Sequence, residues 1–154
     1  MASSLEIFTQ TIENNSSEKI IEKIKNGQWE DILKGLCSIR NNSLFLDYIY
    51  FKYFSTKETY KLILDYITNA IDTILTNNSN FIVHVNMKNL TILEIDKHKT
   101  FIQTISHFFK ERYPEKLSKC YIYNASFVFT QIFNILSVFI DKETQTKIEL
   151  VVTK

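Results

Sequence analysis

Phe45-Leu46-Asp47-Tyr48-Ile49-Tyr50-Phe51-Lys52-Tyr53 is followed, a few residues on, by Tyr60-Lys61-Leu62-Ile63-Leu64-Asp65-Tyr66-Ile67-Thr68-Asn69-Ala70-Ile71-Asp72-Thr73-Ile74-Leu75, and then by Phe81-Ile82-Val83-His84-Val85. The first run is aromatic and β-branched, a composition that suits a pleated, half-buried surface, and it predicts a strand over 45–53. In the second run Tyr60, Ile63, Leu64, Ile67, Ile71, Ile74 and Leu75 recur with the 3.6-residue period of an amphipathic helix. Ser55-Thr56-Lys57-Glu58 ahead of it has the spacing of a capping box, and the asparagines from Asn77 to Asn80 end it. The third run is short and apolar, as a buried strand is. Strand, helix, strand is the repeating unit of a parallel sheet.

Working outward toward the C-terminus, the alternation continues. Phe101, Ile102, Ile105, Phe108 and Phe109 share one face of a helix expected over 97–112. Tyr113-Pro114 stops it, because proline disfavours helix at the residue before it. A strand from Cys120 to Tyr123, a helix over 127–140 and a strand from Ile148 to Val152 follow. The class is therefore α/β, a mainly parallel sheet with right-handed crossover helices. Toward the N-terminus, Leu5, Phe8 and Ile12, then Ile20, Ile21 and Ile24, then Trp29, Ile32, Leu33 and Leu36 sit at helical spacing. Residues 1–44 read as a short helical N-terminal segment ahead of a core at 45–154, in one domain spanning 1–154.

Composition narrows the function. The 154 residues are 45% hydrophobic and 23% charged, which excludes a wholly disordered chain. Two glycines and one proline leave no material for a Gly-rich phosphate loop. A net charge of +1 lacks the electrostatic footprint of a nucleic-acid binder. Two cysteines make no disulfide framework, no basic and apolar leader opens the chain, and no apolar run reaches membrane-spanning length; the expected location is cytoplasmic. His84, His98 and His107 have no metal-ligand spacing with Cys37 or Cys120. His84 reads as a core or edge residue, and Asp65, Asp72 and Glu94 as a solvated face. No nucleophile elbow or dinucleotide fingerprint is present, so the reading is not an enzyme, with no metal and no cofactor.

Two segments carry more. The helix at 127–140 holds Phe127, Phe129, Phe133 and Phe139, and apolar residues occupy most of its circumference rather than one stripe. It is either buried on both sides or meets lipid or a partner. Directly after it, Asp141, Thr144 and Lys147 recur every third residue, so that one helical turn places them on one face. They are either a capped loop or a cradle for a phosphate, offering a cap, a hydroxyl and an ammonium. Glu115 and Lys147 both precede strands, which in a parallel sheet puts them at one edge, where neighbouring strands would let them pair.

Tyr113-Pro114-Glu115-Lys116-Leu117, Tyr121-Ile122-Tyr123-Asn124-Ala125, Phe139-Ile140-Asp141, Thr144 and Lys147-Ile148 resemble the signature of the CRAL-TRIO lipid-binding family, in its phosphatidylinositol/phosphatidylcholine transfer type. That pattern runs Tyr-Pro-Glu-Arg, a strand ending Asn-Ala-Pro, a hydrophobic gate helix, and Phe-Leu-Asp-x-x-Thr-x-x-Lys-Ile. Val85-Asn86-Met87-Lys88-Asn89-Leu90 is similar to its Val-Asp-Leu-Lys-Gly-Leu, and the resemblance covers about 45–152. It implies that 127–140 is the gate helix over an acyl-chain cavity, with Phe127, Phe129, Phe133 and Phe139 meeting the membrane. It also implies that Glu115, Thr144 and Lys147, with Asp141 beside them, hold a phosphoinositide headgroup. The implied function is phosphoinositide binding or lipid transfer with transient, peripheral docking on membranes, the partners being phosphatidylinositol or a phosphoinositide and the membrane surface. Ser126, Asn86 and Asn89 depart from the family's Pro, Asp and Gly. The basic residues of the family's N-terminal module have no match in 1–44, and the last strand ends close to Lys154, so the expectation is a minimal version of the domain. The rival is a CRAL-TRIO-like protein-interaction module without lipid cargo. Glu115, Thr144 and Lys147 together favour lipid, since such a module has no use for that set.

Overall fold

The computed structural model describes residues 17–125, 130, 133, 134, 137, 138 and 140–151. Helices α1 (Ser17–Lys25) and α2 (Trp29–Leu36) lead into β1 (Cys37–Arg40) and β2 (Ser43–Asp47). Next come α3 (Tyr48–Phe54), α4 (Tyr60–Leu75), β3 (Phe81–Asn86), α5 (Ile92–Lys97) and α6 (Lys99–Arg112). β4 (Leu117–Tyr123), α7 (Lys142–Gln145) and β5 (Ile148–Val151) complete the described chain.

Among the described residues, five strands form one sheet in the order β1-β2-β3-β4-β5. Only the β1–β2 pair is antiparallel; the other three pairs are parallel. Parallel strands laid down in sequence order, joined by crossovers of one hand, place every connecting helix on the same face. The core agrees. Leu44, Val83, Cys120 and Cys37 on the sheet pack with Ile63, Ile67, Ile71 and Ile74 of α4 and with Phe101, Ile105, Phe108 and Phe109 of α6. Alternation along the strands sends the register partners Phe45, His84, Tyr121 and Glu149 to the other face.

The strand expected over 45–53 is corrected. β2 ends at Asp47, and Tyr48–Phe54 is helical. Asp47 is the reason at the local level, since its carboxylate accepts the Ile49 N–H at 3.4 Å and starts the turn. Packing supplies the rest. Tyr48, Ile49, Tyr50 and Phe54 are all buried, and the Tyr50 ring lies against Gly35 of α2, where any Cβ would collide with it. The N-terminal segment is helical at 17–25 and 29–36 but ends in β1, an edge strand that the helical reading of 1–44 passes over. Leu5, Phe8 and Ile12 lie outside the described residues.

The capping box expected at Ser55–Glu58 is also corrected. There Thr56 and Thr59 bond each other's backbone N–H at 2.7 and 3.2 Å, and the Thr59 hydroxyl donates to the Phe54 carbonyl at 2.9 Å. That closes a turn rather than capping α4. The capping box is at α5, where Thr91 accepts the Glu94 N–H at 3.2 Å and Glu94 accepts the Thr91 N–H at 2.9 Å.

Candidate functional site

The turn that carries Asp141, Thr144 and Lys147 joins residue 140 to β5 and is fixed at three points. Asp141 caps α7, accepting the Thr144 N–H at 2.7 Å. The Lys147 N–H donates to the Thr144 carbonyl at 3.0 Å, and the Lys147 carbonyl accepts the Cys120 N–H at 2.9 Å, which starts the β4–β5 ladder. The Gln145 side-chain amide donates to the Ser137 carbonyl at 3.1 Å and the Ile140 carbonyl at 2.6 Å.

The three expected residues therefore meet on one turn, and α6 adds a cation the sequence reading missed. The Lys110 ammonium stands 4.0 Å from Asp141. The Thr144 N–H and hydroxyl, helped by the charges of Lys110 and Lys147, hold the Asp141 carboxyl below the usual carboxylate range. The Lys147 side chain is 22% exposed, with its ammonium 3.9 Å from the exposed Glu143 carboxylate. A pair of that kind is worth about 0–1 kcal/mol, so Glu143 holds the ammonium only weakly.

Glu115 is at the same edge of the sheet but is not paired with Lys147. The strands are neighbours, as the pairing argument requires, yet their register puts Cys120 opposite Ile148. Lys119 therefore stands level with Lys147, and Glu115 lies four residues further out. Among the described residues no ion pair joins Glu115 to Lys147. Glu115 is exposed and sits at φ 62, in the left-handed region that costs a side chain with a Cβ about 1–2 kcal/mol. It lies in a turn closed by the Lys116 N–H on the Tyr113 carbonyl at 3.2 Å.

Of the expected gate residues, Phe127, Phe129 and Phe139 lie outside the described residues. Thr130, Phe133 and Asn134 are helical, Phe133 is half-buried, and the Ser137 N–H donates to the Phe133 carbonyl at 2.8 Å.

At the opposite edge of the sheet, the strand ends are cross-linked by a buried polar ladder. Asn86 donates to Asp47 at 3.3 Å and accepts from Asn124 at 2.8 Å and from the Lys88 N–H at 3.2 Å. Asp47 is 3% exposed and Asn86 fully buried. Burial pushes the Asp47 carboxyl up to about 7, against its hydrogen bonds from Ile49 and Asn86 and the charge of Lys88. So the acid that the family pattern carries at 86 is an amide here, and a buried acid stands on the adjacent strand. Asn89 and Asn124, at φ 69 and 61, take left-handed conformations that asparagine tolerates, which accounts for Asn89 at the family's glycine.

On the sheet face away from α4 and α6, His84 stacks between Phe45 (centroids 4.5 Å apart) and Tyr121 (5.2 Å) and bonds the Tyr123 hydroxyl at 2.7 Å. It is a buried core histidine, as its pattern suggests, with burial pushing its pKa down. Of the carboxylates read as a solvated face, Asp72 is solvent-exposed though partnered, and Glu94 is mostly covered. Asp72 accepts from Arg112 at 2.8 Å and from the Tyr113 hydroxyl at 2.7 Å, while Glu94 caps α5 and pairs with Lys52 at 3.5 Å. Asp65 does sit exposed, beside Lys61. Among the described residues no group of three or more His, Cys, Asp and Glu gathers to hold a metal, and no helix is long and apolar enough to cross a membrane.

The mainly parallel sheet is helix-packed on one face, carries an aromatic and polar second face, and is entered at its last strand through a turn in which Asp141 and Glu143 balance Lys142 and Lys147. The CRAL/TRIO domain family matches residues 44–154, and the chain belongs to that family, whose members bind and transfer lipids. The fold is similar to the crystal structure of Sfh5, with a TM-score of 0.60 at 18% identity over 75% of this chain. The match covers 46% of Sfh5, so the chain spans about half of that protein's length. No curated protein matches the chain.

Proposed function

We propose that this chain binds a phosphoinositide through the turn at 141–147 and docks transiently on the membrane that presents it, with no covalent chemistry. The observation that carries the reading is the turn itself. It brings Thr144, Lys147 and the unforeseen Lys110 together, with Asp141 used to hold the turn's backbone. Lys147 supplies the charge for a phosphate, and the Thr144 hydroxyl, which serves Asp141 in the free protein, turns its one proton to the phosphate. Glu115, on its strained turn at the same edge, accepts from an inositol hydroxyl. Phe127, Phe129, Phe133 and Phe139 give the apolar contact with acyl chains or bilayer that the headgroup site needs beside it. A charge-assisted contact contributes about 1.5–3 kcal/mol. Lys147→Ala therefore lowers sedimentation with phosphoinositide vesicles at least about tenfold, the equivalent of 1.4 kcal/mol. The Lys147 ammonium is held by a weak pair with the exposed Glu143, so its removal leaves folding intact. Undiminished binding by a folded Lys147→Ala protein overturns the assignment.

A further inference from the structure

α7 is four residues long, one helical turn. Isolated helices shorter than about 12–15 residues do not hold themselves together, because nucleation costs more than one turn of hydrogen bonds returns. The shape of this turn therefore depends on what it is tied to. Asp141 ties its start, and β5 follows its end. The third tie is Gln145, placed between Thr144 and Lys147, whose amide nitrogen reaches the carbonyls of Ser137 at 3.1 Å and Ile140 at 2.6 Å. Both partners are acceptors only, so the amide NH₂ has to face them, and the orientation is set by chemistry. Gln145 is half-buried, and its position is one that the Asp-x-x-Thr-x-x-Lys spacing leaves open.

We propose that Gln145 is a positioning residue for recognition of an inositol-linked phosphate. It anchors the turn on the backbone at 137 and 140, so that Thr144 and Lys147 keep one geometry toward the phosphate. The proposal rests on the reading that this turn holds the headgroup. A flexible turn still offers Lys147 as a point charge to any anionic lipid. What it loses is the fixed distance between hydroxyl and ammonium that distinguishes an inositol-linked phosphate from a diffuse negative surface. Gln145 thus governs selectivity more than attraction.

The test uses phosphatidylcholine vesicles doped with a phosphatidylinositol monophosphate, against vesicles carrying phosphatidylserine at equal charge. Gln145→Leu keeps the bulk of the side chain and removes both donors. It lowers binding to the phosphoinositide vesicles about tenfold and leaves phosphatidylserine binding within about twofold. Gln145→Asn keeps the amide but shortens the arm, and it gives the same loss. In a Lys147→Ala background either substitution lowers phosphoinositide binding by less than it does in the native protein, because one of the two contacts the turn holds is already gone. A structural role alone gives losses that multiply across the two sites and fall equally on both vesicle types, and that result overturns the proposal. If Lys147→Ala weakens binding and folded Gln145 variants do not, Gln145 is not a positioning residue and the headgroup assignment stands. If Lys147→Ala itself has no effect, the headgroup assignment falls and the proposal with it.

Discussion

Asp47→Asn exchanges one oxygen for an NH₂ inside the buried ladder at the C-terminal ends of β2, β3 and β4. In the native protein one carboxylate oxygen accepts from Ile49 and Asn86, while the other is buried without a partner among the described residues. That orphan oxygen is what makes the charge costly, and burial carries the pKa from 3.8 to about 7. A raised carboxyl pKa means the folded chain holds a proton that the unfolded chain has released. The stabilising share is fully present below the unfolded pKa, near 4, and is lost as pH rises through about 7. Roughly three pKa units at 1.36 kcal/mol each set a ceiling of about 4 kcal/mol. Asparagine cannot ionise and shows no such loss, although its new NH₂ enters a place with no acceptor and costs about 1–3 kcal/mol at every pH. The stability of Asp47→Asn relative to the native protein therefore climbs between about pH 4 and about pH 8 by up to about 4 kcal/mol, whatever its sign at the acid end. Urea unfolding of both proteins across that range measures the difference directly. Parallel stability–pH curves would refute the reasoning, and so would a difference that shrinks as pH rises.

Glu115→Gly removes a Cβ from a left-handed residue, so it stabilises the fold by up to about 1 kcal/mol in thermal melting while weakening phosphoinositide binding; a glycine variant that binds as well as native refutes a headgroup role for Glu115. Tyr113→Phe deletes the hydroxyl that donates to Asp72 at 2.7 Å and lies 3.3 Å from the Thr68 carbonyl, joining the end of α6 to α4. It lowers stability by about 1–2 kcal/mol without touching lipid binding, and an unchanged urea midpoint would show that the Asp72–Tyr113 contact holds nothing.

How much of this was legible in the sequence depends on which physical signal each part used. The 3.6 period from Tyr60 to Leu75 survives as α4, and the apolar runs at 81 and 148 survive as strands, because burial on one sheet or helix face writes a period into the residues. Tyr48–Phe54 was not legible. Aromatic composition reports a surface that packs well, and here that surface is a helix lodged on Gly35 and α2 rather than a strand. β1 was hidden for a related reason, as a four-residue edge strand has too few positions to show alternation. Asp141, Thr144 and Lys147 were placed correctly on one turn by their spacing. Lys110 was not found, because it arrives from a helix some thirty residues earlier and only the tertiary fold brings it to Asp141. The separation of Glu115 from Lys147 was equally out of reach, since strand order follows from topology rules but register does not. Gln145 left no signal in the motif, because what its amide holds, the carbonyls of Ser137 and Ile140, is set by the fold of the turn.

The measurement that bears most directly on the central claim is binding of the native chain to vesicles matched in charge but not in chemistry. With a net charge of +1 the chain has little nonspecific attraction for an anionic surface. Cosedimentation with vesicles carrying a phosphatidylinositol monophosphate should exceed that with phosphatidylserine vesicles of equal charge by about tenfold or more, the share of one charge-assisted contact. Equal binding to the two would contradict the account.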